Sequence, residues 1–166
     1  MRTEPNDYKD IHQFLDEHGE ELDKGIIHEE DISTIFDFLL EMGMSELRAV
    51  KSKLIILYLH MIKYQYQQQK QTASWIKSIR EARDFISFAI QDSKALGNKL
   101  SDKVQILCYK NALVKASDET GINKKNFPQE IPEEYMFPNI VNHDYMENFL
   151  LQYAYSNDAK RYLFIK

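Results

Sequence analysis

The chain has 166 residues, with 43% hydrophobic and 28% charged side chains and a formal net charge of −5. That is enough chain for one compact core without disulfides or a structural metal, and the single cysteine, Cys108, has no partner for an internal bridge. No signal peptide and no run of about 18 apolar residues is found, which predicts a cytoplasmic protein with no membrane span, and a sequence pI near 5.6 argues against a dedicated nucleic-acid binder.

Hydrophobic stepping predicts an all-α fold, a helical bundle around a long central helix. No proline occurs between Pro5 and Pro128, and the glycines at 19, 25, 43, 97 and 121 are expected to mark helix ends. In chain order the first helices are expected over residues 6–18 and 31–42, the second introduced by "HEED" at 28–31 with Asp31 as the capping residue. The central helix is expected over about 46–70, because Leu47, Val50, Leu54, Leu57, Met61 and Tyr64 step by 3 and 4. Beside them Ile55, Leu59, Ile62 and Tyr66 form a second stripe, so this segment is expected to be buried on two sides. Helices over 73–92 and 102–119 follow, the former with its own stripe of Trp75, Ile79, Ala82, Ile86 and Ala89. The short link near 70–73 predicts antiparallel neighbours, with Tyr64 and Trp75 meeting at the corner and their polar tips turned outward.

The C-terminal part differs in kind. Pro128, Pro132 and Pro138 alternate with Phe127, Ile131, Tyr135, Phe137 and Ile140, which predicts a proline-bearing arm clipped onto the bundle. An amphipathic segment near 143–156 and the apolar "RYLFIK" then form a C-terminal extension, residues 147–166, expected to pack on the bundle or on a partner; residues 1–146 are expected to form the domain itself.

Charge is distributed unevenly. Residues 1–44 carry 3 Lys or Arg against 13 Asp or Glu, residues 45–115 carry 13 against 5, and residues 116–166 carry 5 against 8. Compensation within the molecule is the simpler reading, and a basic middle that meets an anionic partner is the sharper one.

Met42-Gly43, Ser45-Glu46, Arg48-Ala49, Ser52-Lys53-Leu54, His60, Lys63, Gln65-Tyr66-Gln67, Ser74-Trp75, Ile79, Arg83, Asp92-Ser93, Leu96, Glu119-Thr120-Gly121, Phe127-Pro128 and Pro132 follow one another in a familiar pattern over about residues 8–146. In this the chain resembles the bacterial family called domain of unknown function 29, and the resemblance implies a small all-helical fold without an assigned activity. The chain departs from the family's acidic run before the Met-Gly pair, keeping Asp37 and Glu41 but placing Phe38 and Leu40 among them.

His60 is the sharpest candidate for chemistry. On a 3.6-residue helix it shares one polar sector with Lys53, Lys63 and Gln67, and flanking lysines would favour the neutral imidazole, a base or ligand. Catalysis would also need an orienting carboxylate, for which Asp37 and Glu41 are the candidates. A polar network that fixes packing is the simpler expectation. Trp75 with Tyr64, Tyr66, Lys70, Lys77 and Arg80 has the aromatics interleaved with cations that single-stranded nucleic acid needs, although packing at the helix corner is the simpler expectation. Trp75, Arg80 and Arg83 complete the candidate binding set. No metal site and no cofactor motif is found. The expectation is therefore a non-catalytic module for protein–protein interaction or self-association. A nucleic-acid-associated or antitoxin-like regulator, its basic middle masked by the acidic N-terminal part, is the alternative, and an enzyme centred on His60 the third reading.

Overall fold

The structure, a computed structural model, describes residues 11–164. The expected helix start at 6–10 and the terminal Ile165 and Lys166 lie outside the described residues. Among those described there are seven α-helices and no strand: α1 (Ile11–Asp23), α2 (Ile32–Tyr66), α3 (Ala73–Asp92), α4 (Lys94–Lys99), α5 (Asp102–Thr120), α6 (His143–Gln152) and α7 (Asn157–Phe164). The fold is all-α around one long helix. The chain divides into two compact units, Met1–Arg48 and Ala49–Lys166, so the division falls inside α2 and residues 147–166 lie in the second unit.

In the first unit α1 packs against the beginning of α2. Phe14 is buried and sits 5.6 Å from the Phe38 ring, and Thr34 is buried with it. The α1 helix ends in a Schellman turn: Ile26 N–H donates to the Glu21 carbonyl at 2.8 Å and Gly25 N–H to Leu22 at 2.9 Å. That turn requires a left-handed residue, which Gly25 supplies with φ of +76°. The loop is tied back by His28 Nε2, 2.7 Å from a carboxylate oxygen of Glu21.

The sequence reading placed a break at Met42-Gly43, and the structure removes it. Helix α2 runs through Gly43 without interruption. Gly43 is exposed and nothing lies within 4 Å of where its Cβ would be, so the glycine serves no turn and no close approach there. Its cost to a helix, about 1 kcal/mol, is outweighed by the helix formers and packed side chains around it. Gly19 and Gly97 likewise lie inside helices, whereas Gly121, with φ of +73°, ends α5 as expected.

In the second unit the later part of α2 is the centre. Of the expected stripe Val50, Leu54, Leu57, Met61 and Tyr64 are buried, as their stepping required, whereas Leu47 is only half-buried; Tyr58 joins the buried set. The second stripe is only partly covered, since Leu59 and Ile62 are buried but Tyr66 is exposed. Lys63 lies over the Trp75 ring and Lys53 over Phe85, a pairing that rises along α3 as it falls along α2 and so fixes the two as antiparallel. On another side α5 runs parallel to α2: Cys108 Sγ approaches the Lys51 carbonyl and Lys63 Nζ the Glu119 carboxylate. Four helix starts in this unit carry side-chain caps. Thr72, Ser93, Ser101 and Asn142 accept from backbone amides of the first turns of α3, α4, α5 and α6.

Tyr58, Tyr109 and Tyr135 form a buried cluster with ring centroids 5.8 to 6.0 Å apart. Tyr109 donates to the Pro128 carbonyl at 2.7 Å and Tyr135 to Gln65 Oε1 at 2.6 Å, and these bonds hold the proline-bearing arm to the helices. The Tyr58 hydroxyl has no hydrogen-bond partner among the described residues.

The tail closes this unit. Gln71, at the α2–α3 corner, donates from Nε2 to the carbonyls of Tyr64 and Tyr153, each at 2.7 Å, while its Oε1 accepts from Tyr155 N–H and Ser156 N–H at 2.9 and 3.2 Å. Tyr64 turns its hydroxyl inward and donates to the Leu150 carbonyl at 2.6 Å, the reverse of the outward orientation expected from sequence. Asp158 accepts from Ala73 N–H at 2.7 Å at the start of α3. Met146, Phe149, Leu150, Ala159 and Leu163 are buried in consequence.

Candidate functional site

The polar side of α2 in the second unit carries His60, Lys63 and Gln67 of the sector expected from sequence. His60 Nδ1 lies 2.9 Å from the Ile56 carbonyl one turn earlier, a contact that makes Nδ1 the protonated nitrogen and leaves Nε2 with the lone pair. Burial lowers the His60 pKa below its usual 6.5; the Ile56 hydrogen bond and Glu119 oppose the shift and Lys63 reinforces it. Lys63 Nζ is 2.8 Å from Glu119 and 4.6 Å from the Trp75 ring centroid, so its charge is already satisfied on both sides. Gln67 Nε2 reaches the Thr120 carbonyl at 3.5 Å, a marginal hydrogen bond. Lys53 stands apart from this group, over Phe85.

The remaining candidates are distributed elsewhere. Arg80 makes a bidentate pair with Glu147 at 2.7 and 3.2 Å, and buried Arg83 contacts Asp84 at 2.9 Å and Glu147 at 3.7 Å. These cations join α3 to α6. Asp37 and Glu41 stand on the same helix as His60 rather than on a preceding one, 23 and 19 residues before it and in the other compact unit. Cys108 is buried, and burial raises its thiol pKa, so the reactive thiolate is disfavoured. No group of three His, Cys, Asp or Glu side chains among the described residues is placed to hold a metal ion. No described helix is long and apolar enough to cross a membrane.

The arrangement offers an imidazole lone pair, and among the described residues neither a nucleophile nor a carboxylate is hydrogen-bonded to it. Glu119 was quoted in the family pattern but not recognised as the partner of Lys63; an acid 56 residues away leaves no local signal. A different feature stands out in the first unit. Ile32, Phe36, Leu39, Leu40, Met42 and Met44 are all exposed along the first part of α2.

Residues 8–146 match the family model for the domain of unknown function DUF29. The chain belongs to the DUF29 family. Neither the curated proteins nor the solved structures contain a match to it. Within the matched span of this DUF29 chain lie the whole of α2 and the His60 group, whereas most of α6 and all of α7 fall beyond it.

Proposed function

We propose that this DUF29 chain is a non-catalytic protein-binding module. The observation that carries the reading is the run of large exposed apolar side chains on α2, with Phe36 at 61% and Leu40 at 66% exposure. Contiguous apolar surface of this kind on a folded protein commonly marks an interaction site. The candidate cations support the same reading from the other direction, because Lys63 is engaged by Glu119, and Arg80 and Arg83 by Glu147, as cross-links between helices.

The test is affinity capture from the native host with the full chain as bait, beside two variants. Phe36→Ser with Leu40→Ser is expected to lose the captured protein, and His60→Ala to retain it. The opposite pattern, loss with His60→Ala at an unchanged melting temperature, would move the activity to the histidine and overturn the proposal.

A further inference from the structure

Ile32, Phe36, Leu39, Leu40 and Met44 fall within a sector of about 140° at 100° per residue, one continuous face of α2. Helix α1 lies beside this face and reaches only its edge. Phe14 meets Phe38, and the cavity of about 160 Å³ lined from α1 and α2 includes Ile35, Phe38 and, of the face itself, Leu39, which stays 57% exposed. Further along α2, where Val50, Leu54, Leu57 and Met61 continue the same 3 and 4 stepping, the side chains are buried by other helices of their unit. The first part of α2 is therefore patterned like a helix with a neighbour on that face, and among the described residues none covers it.

Charge identifies the neighbour. Between Lys24 and Arg48 there is no Lys or Arg at all, while Glu29, Glu30, Asp31, Asp37, Glu41 and Glu46 are all acidic. Asp37 and Glu46 flank the apolar sector on α2 itself. A second copy would bring two such acidic faces together, and like charges juxtaposed across an interface cost several kcal/mol. A helix with an apolar stripe bordered by Lys or Arg meets both demands at once. From Ile32 to Leu47 the face is about 24 Å long, room for a partner helix of about four turns.

We infer that this face docks a cationic amphipathic helix of a partner protein, an inference that rests on the protein-binding reading above and names the partner's chemistry. The probe is a synthetic peptide of about 18 residues, with leucine at positions i, i+3, i+4 and i+7 and lysine elsewhere, titrated against the full chain. Two further peptides accompany it, one with glutamate in place of lysine and one of the same lysine and leucine composition scrambled to destroy the apolar face. The lysine helix is expected to bind, to weaken as salt is raised, and to lose at least about tenfold in affinity with Phe36→Ser and Leu40→Ser, while Phe88→Ser, an exposed change in the other unit, leaves it unaltered. Equal binding by the scrambled or glutamate peptide, or by the double variant, overturns the inference. So does light scattering that finds a dimer converted to a monomer by the double variant, since a second copy would then be the occupant. If the peptides fail while capture from the host still depends on Phe36 and Leu40, the binding module stands and its partner has another chemistry.

Discussion

A single hydroxyl tests how closely the core is matched to its side chains. Tyr58 is fully buried between Tyr109 and Tyr135, and both neighbours have acceptors for their phenols while Tyr58 has none among the described residues. A buried polar group without a partner costs about 1–3 kcal/mol, and the ring itself supplies the packing. Tyr58→Phe is thus expected to raise stability by about 1 kcal/mol, read as a higher denaturation midpoint with an unchanged slope in urea. A loss of more than about 1 kcal/mol would mean that the hydroxyl is bonded after all.

At the scale of elements, α2 and the corner that follows it carry the next tests. Gly43 sits exposed within a continuous helix with open space at its Cβ, so Gly43→Ala is expected to stabilise by about 0.5–1 kcal/mol, checked by thermal melting. A destabilised variant would show that the helix breaks there in solution. Gln71 is buried and its side chain makes four hydrogen bonds across the corner, two given and two accepted. Gln71→Leu keeps the volume but orphans the Tyr64 and Tyr153 carbonyls, and about 2 kcal/mol or more should be lost. The burial of Val50, Leu54, Leu57, Met61 and Tyr64 was legible because helical periodicity is local. So were α3 and α5, each introduced by a cap residue of the expected kind. Gly43 misled because glycine marks both helix ends and tolerated interior sites, and propensity alone does not separate them. The short α4 and α7 offered too few turns to show a period. The role of Gln71 was not legible, since its partners lie as many as 85 residues away and leave no spacing to read. For the candidate site the sector of His60, Lys63 and Gln67 was legible for the same local reason, and its closure by Glu119 was not.

Two expectations belong to the whole molecule. Burial pushes the phenols of Tyr58, Tyr64, Tyr109 and Tyr135 well above their usual 10. A raised folded-state pKa favours the neutral phenol, so this contribution to stability is fully present below pH 10 and is lost as the pH climbs beyond it toward the folded values. The melting temperature should fall steeply above about pH 10, and these tyrosines should ionise only as the chain unfolds, which tyrosinate absorbance followed beside circular dichroism would record. Ionisation complete before any loss of helix would count against their burial. Removal of residues 147–166 should likewise unfold the second unit, because it strips Phe149, Leu150, Ala159 and Leu163 from the core and leaves Gln71 without three of its four partners. A truncated chain that melts cooperatively at the original temperature would show the tail to be dispensable. The reach of these contacts also bears on synthesis. Tyr64 and Gln71 find partners in residues 150–156, so a nascent chain carries the later part of α2 past α3 and α5 before those partners exist. A chain that stops short of them leaves Tyr64 and Gln71 without these partners and exposes to chaperones and proteases what the finished fold conceals.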